Sequence, residues 1–117
     1  MTEKSQEKIT IHSLKLNTRF VDPVHIGLKT FEIRKNDRKY HIGDFLNFRP
    51  VNDDGKILEQ HPICESLYQI TYIMHVPVRL EGYGIDVEDD TVVFSMRKVP
   101  DKDIDTILRE YAKQNKI

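Results

Sequence analysis

The sequence predicts a single, small, mainly β domain with α elements: an antiparallel or mixed barrel of about five to six strands with a short crossing helix and a C-terminal helix. Three observations carry this. The chain has 117 residues, one ordinary domain and too few for two independent cores. Short alternating runs recur between Gly, Pro, Asn and Asp turns, the period-2 signature of strands. The clearest 3.6-residue repeat is at the C-terminus. Apolar residues make up 38% and charged ones 32%, so the chain can bury a core and stay soluble, and wholesale disorder is not expected.

Residues 1–7 read as a disordered tail. Lys8 to Leu16 reads as a first strand, with Ile9 and Ile11 on one parity and Leu14 and Leu16 on the other, which predicts a bulge near His12. Asn17 to Gly27 reads as the crossing helix, capped by Thr18 or Asp22, with Pro23 in its first turn and Gly27 at the C′ position. Lys29 to Lys35 alternates, Phe31 and Ile33 on one face and Thr30, Glu32 and Arg34 on the other, the latter taken as outward. Turns follow at Asn36-Asp37 and Ile42-Gly43-Asp44. Phe45 to Val51 is the next strand, closed by Pro50 and Asn52-Asp53-Asp54-Gly55.

Tyr68 to Met74 is a fourth strand, with Tyr68, Ile70, Tyr72 and Met74 on one face. Val76 to Asp90 reads as a long loop. Thr91 to Val99 is the last strand, presenting Val92, Phe94 and Met96 together. Residues 8–99 are thus the barrel domain. Residues 100–117 form an amphipathic helix whose stripe Ile104, Ile107, Leu108 and Tyr111 should dock on the same domain.

The formal net charge of −1 does not announce a nucleic-acid binder, but its distribution is uneven. Lys29 to His41 holds five basic residues against two acidic ones, and Glu81 to Asp90 holds five acids with no Lys or Arg. No stretch is apolar enough to span a bilayer and the N-terminus is not signal-like, so a cytoplasmic location with no membrane partner is expected. The single Cys64 and five scattered histidines lack metal-ligand spacing, so neither metal nor cofactor is expected. Gly82-Tyr83-Gly84 lacks the strand–helix context of a dinucleotide loop, and no Gly-x-Ser-x-Gly marks a serine hydrolase.

The run Gly27-Leu28-Lys29-Thr30-Phe31-Glu32-Ile33-Arg34-Lys35-Asn36-Asp37-Arg38, followed by Gly43-Asp44, resembles the Gly-x-Lys-x-x-Glu-x-Arg motif of the ASCH superfamily. With His12-Ser13-Leu14-Lys15 in the first strand, it more narrowly resembles an often phage-associated family of that superfamily. The resemblance covers roughly residues 9–99 and implies a PUA-like β-barrel with RNA or another nucleic acid bound in a cleft beside it. Lys29, Glu32, Arg34, Lys35, Arg38 and Tyr40 would then form the site, flanked by His12 and Lys15. Cations suit phosphates, a carboxylate suits base or sugar donors, and a ring suits stacking. Without the motif, the same pattern reads as a cross-strand ion-pair ladder.

Some ASCH proteins are similar in outline but act as amidohydrolases on acylated pyrimidine nucleosides, through a lysine and a threonine three residues on. Here Lys29 matches, but Glu32 fills the threonine position and Thr30 follows the lysine directly. The family's downstream glutamate has only loose counterparts in Glu65 and Glu81. The leading expectation is therefore a non-enzymatic RNA- or nucleotide-binding module, monomeric or weakly dimeric. A small hydrolase using Lys29 and Glu32, and a protein-interaction module using the acidic residues 81–90, are its rivals.

Overall fold

The computed structural model describes residues 8–76 and 91–115; the N-terminal tail and the acidic stretch 81–90 lie outside them, with the expectations placed there. Five strands and two helices follow in the order β1 (Ile11–Asn17), α1 (Thr18–His25), β2 (Phe31–Lys35), β3 (Phe45–Val51), β4 (Tyr68–Val76), β5 (Thr91–Lys98) and α2 (Asp101–Gln114). A 3₁₀ turn, Pro62–Glu65, precedes β4. The strands form one mixed sheet in the order β1-β3-β4-β5-β2, with β1 and β3 parallel and the other neighbours antiparallel.

β1 and β2 are the outer strands, and among the described residues no backbone ladder joins them. Two arginine side chains do. Arg34 Nη2 donates to the Lys15 carbonyl oxygen at 2.7 Å, and Arg38 Nη1 to that of Ser13 at 2.9 Å. The sheet thus curls until its two outer strands face each other. Inside the curl lie Leu14, Leu16, Val24, Leu46, Phe48, Ile63, Ile70, Val92 and Phe94. Apart from Val24 of α1 and Ile63 of the 3₁₀ turn, these are apolar residues of alternate strand positions, as a half-buried sheet requires.

A smaller cluster of Phe45, Leu67 and Val99 sits on the other face, with Ile9, Ile11, Ile104 and Ile107 packed against it. This corrects the expected bulge near His12. β1 runs in unbroken register with β3 because its two apolar parities serve two clusters on opposite faces. α2 covers the smaller cluster through Ile104 and Ile107, while Leu108 stays exposed and no described residue of the helix is fully buried.

The N-cap of α1 is Asn17, one residue before Thr18 and five before Asp22, the two proposed caps. Asn17 Oδ1 accepts from the Arg19 amide at 3.0 Å, and Pro23 falls inside the helix, not in its first turn. Its end matches the sequence signal. Gly27 has φ 88°, its amide donates to Val24 O and the Leu28 amide to Pro23 O, a Schellman pair that aims the chain at Lys29. Pro50 is tolerated inside β3 because β3 pairs with β4 only at Phe45 and Leu46.

The bulge occurs in β4, where the register with β5 shifts between Ile70 and Tyr72. The strand's alternation flips there. Tyr72 and Met74 turn out to solvent and Ile73 packs inward, against the expectation of one shared face with Tyr68 and Ile70.

Candidate functional site

β2 is inverted relative to its sequence expectation. Glu32 is buried and Arg34 half-buried, whereas Phe31 and Ile33 are exposed. The reason lies in the neighbours. The inward positions of β2 meet the gap beside β1, where two backbone carbonyls need donors, so a guanidinium and its counter-charge occupy them instead of aliphatic groups.

Glu32 is the centre of the arrangement. Its side chain is 7% exposed, with Lys29 Nζ 3.4 Å from Oε2 and Arg34 Nε 3.7 Å from Oε1. Oε2 nevertheless has no hydrogen-bond partner among the described residues. Lys29 Nζ instead donates to the Phe31 carbonyl at 2.8 Å and lies over the rings of Phe20 (5.2 Å) and Phe31 (4.8 Å). A buried carboxylate flanked by one cation at each oxygen, with Oε2 still lacking a hydrogen bond among the described residues, is poised to accept from a further donor.

Arg38 borders the same seam, its Nε 3.8 Å from Asp37. Among the described residues each arginine gives one hydrogen bond to β1, so the five N–H groups of a guanidinium leave donors for the seam. Tyr40 is not an exposed stacking platform. Its ring is buried between His12 (4.7 Å) and Phe94 (5.2 Å), and burial pushes its hydroxyl above its ordinary value against the opposing pull of Arg34 and Arg38. Lys39 takes a left-handed φ of 52° where the chain passes from Arg38 at the seam to Tyr40 in the core.

His12 is also internal. Its Nε2–H donates to Asp44 Oδ2 at 2.8 Å, and the same oxygen accepts the His41 amide at 2.9 Å. Lys15 is exposed on the opposite face of β1, so His12 and Lys15 do not flank one site. Lys35 is likewise exposed beside Phe31 and Ile33. The structure therefore brings together Lys29, Glu32, Arg34 and Arg38, with Tyr40 and His12 packed behind and Lys15 and Lys35 turned away.

Sequence reasoning missed Asp44 as the partner of His12 and Phe20 as the ring under Lys29. It also missed the cluster at the end of α1. His61 Nδ1 accepts the Ile63 amide at 3.0 Å, so its Nε2–H donates to Asp22 at 2.9 Å. The His25 ring meets His61 edge-on at 5.2 Å, and burial, helped by Lys98 and His61, lowers its pKa. The signal was faint: Asp22 and His25 lie together on α1, but His61 follows only after β2 and β3. Among the described residues no group of three His, Cys, Asp or Glu side chains is arranged to hold a metal ion, and no helix is long and apolar enough to cross a membrane.

Residues 11–95 match the family described as Domain of unknown function (DUF3850). The chain belongs to this family. The DUF3850 span opens on the first residue of β1 and ends within β5. It therefore contains every residue of the seam and leaves out α2. No curated protein matches the chain.

Proposed function

We propose that this DUF3850 domain binds single-stranded nucleic acid, RNA before DNA, at the seam between β1 and β2. The observation that carries the reading is the buried Glu32 carboxylate, with Lys29 beside Oε2 and Arg34 beside Oε1, whose Oε2 has no hydrogen-bond partner among the described residues. A carboxylate accepts from the amino and imino groups of bases and from the ribose 2′-hydroxyl, the group that separates RNA from DNA. Lys29 and the unused N–H groups of Arg34 and Arg38 suit the flanking phosphates. A sheet curled until Arg34 and Arg38 bridge its outer strands, together with the Gly27 to Arg38 motif, supports the finer reading as an ASCH-type PUA-like barrel.

Lys29 and Thr30 border a cleft of about 180 Å³ with His25 and Tyr68, which favours a second reading, a small hydrolase on a modified nucleoside. The cleft is smaller than the roughly 300–1,000 Å³ of small-molecule sites. Glu32 is not among its lining residues, so lysine and carboxylate do not converge there. Binding is the stronger reading. Fluorescence anisotropy with short single-stranded RNA and DNA tests it: RNA should bind more tightly, and Glu32→Gln should narrow the difference. Equal affinity of wild type and Glu32→Gln for both polymers would remove Glu32 from the site.

A further inference from the structure

Away from the seam, α2 lies on the sheet without closing against it. Ile104 and Ile107 reach the smaller core cluster, but Leu108 stays 43% exposed. Between the helix, β1, β3 and the 3₁₀ turn a cavity of about 380 Å³ remains, within the roughly 300–1,000 Å³ of small-molecule sites. Leu67, Ile104, Leu108 and Tyr111 give it largely apolar walls. The family match stops at residue 95, so one wall of this cavity comes from an element outside the matched span.

The polar groups of the lining select the occupant. Asn47 Nδ2 donates to the carbonyl oxygens of Cys64 at 2.9 Å and of Ser66 at 3.2 Å. Carbonyls only accept, so these two fix which way the amide is turned and use both of its N–H groups. Oδ1 is left as an acceptor that meets no donor among the described residues. Ser66, only 6% exposed, adds a hydroxyl to the same lining. Among the described lining residues Glu65 is the one charged side chain, and Lys, Arg and His are missing. Glu65 makes no ion pair among the described residues. The neighbouring cleft that it also borders holds Lys98 and Lys102, but Asp101 and Asp105 line that cleft with them. An anion would meet Glu65 with no cation in the lining, which argues against a phosphate here. A wholly apolar molecule would cover Asn47 Oδ1 without giving it a donor. A small ammonium with an apolar body supplies N–H donors for Asn47 and Glu65, a counter-charge for the carboxylate and hydrocarbon for the walls.

We infer that the cavity under α2 is a binding site for a small ammonium compound with an apolar body, separate from the seam. The test follows backbone amides of the full chain by NMR during titration with phenethylamine. The probes 2-phenylethanol and 3-phenylpropanoate carry a similar body with a neutral and an anionic head. Phenethylamine should shift the amides of Asn47, Ser66 and Leu108 saturably. The alcohol should bind about 10-fold or more weakly, the worth of one charge-assisted hydrogen bond, and the carboxylate should not bind. Glu65 is exposed, so Glu65→Gln keeps the fold, and it should lower the affinity for the amine to that for the alcohol. Leu108→Trp, which enlarges an exposed wall residue, should block both. Equal affinity for the three probes, or amine binding unchanged in Glu65→Gln, would overturn the proposal. So would amine shifts centred on Lys29 and Glu32, which would move the ammonium to the seam, or shifts that never saturate.

Discussion

Arg34 reaches from β2 to the carbonyl oxygen of Lys15 on β1, 2.7 Å away, and so joins the two outer strands of the sheet by a side chain. Its Nε lies 3.7 Å from the buried carboxylate of Glu32. One guanidinium therefore serves the fold and the candidate site at once, and the two roles are separable by experiment.

Arg34→Ala removes the donor from the Lys15 carbonyl and one of two cations from Glu32. It should cost about 2–4 kcal/mol, the range for an orphaned polar group beside a broken buried pair. Glu32→Gln in the same chain should recover about 1–2 kcal/mol, because the uncompensated charge is then gone. Urea denaturation of the two single variants and the double variant measures the coupling. Strict additivity would mean that the pair contributes nothing.

Gln114 offers a second check on how α2 is held. Its side-chain amide accepts the Ile9 amide at 2.9 Å and donates back to the Ile9 carbonyl, imitating a strand partner. Gln114→Ala should lower stability by about 1 kcal/mol. Amide exchange at Ile9 should quicken while that at core residues such as Phe48 holds. Unchanged protection at Ile9 would mean that α2 docks through Ile104 and Ile107 alone.

The strands were legible in the sequence because each is a short run bounded by turn residues, and that signal is local. Which way a strand faces is not local. Phe31 and Ile33 look like core residues until the carbonyls of Ser13 and Lys15 are known to need donors from the Glu32 side of β2. Tyr72 shares parity with Ile70 in the sequence, and only the pairing of β4 with β5 reveals the shift between them. The motif from Gly27 to Arg38 spans Lys29, Glu32, Arg34 and Arg38, which the fold places along one seam. It did not reveal that Tyr40 is buried between His12 and Phe94.

Acid should test the His25 cluster. Burial and the nearby Lys98 lower the folded-state pKa of His25 below 6.5, its ordinary value. As pH falls through 6.5 the unfolded chain takes up the proton first, so stability drops until the folded pKa is passed. Above 6.5 both states are neutral and His25 contributes no slope. His25→Gln should flatten the fall in denaturation midpoint between about pH 6.5 and 5 relative to wild type. An identical pH profile would mean that the ring is protonated as easily in the folded chain as in the unfolded one.

Salt should decide how many cations meet phosphate at the seam. Lys29, Arg34 and Arg38 surround it, and each phosphate contact on a single strand contributes about −0.7 to the slope of log K against log salt. Three contacts give a slope of roughly −2. Arg38 is the cleanest probe, because it is the most exposed of the three and its bond to Ser13 is at the rim. Arg38→Ala should flatten the slope by about 0.7 and weaken RNA of every sequence alike. Glu32→Gln should act otherwise. Removing a negative charge cannot remove a phosphate contact, so the slope stays or steepens, while the preference between RNA and DNA shrinks as the acceptor for the 2′-hydroxyl weakens. Anisotropy titrations at three salt concentrations separate the two effects. A slope unchanged in Arg38→Ala, or one near zero in the wild type, would place the phosphates elsewhere on the molecule.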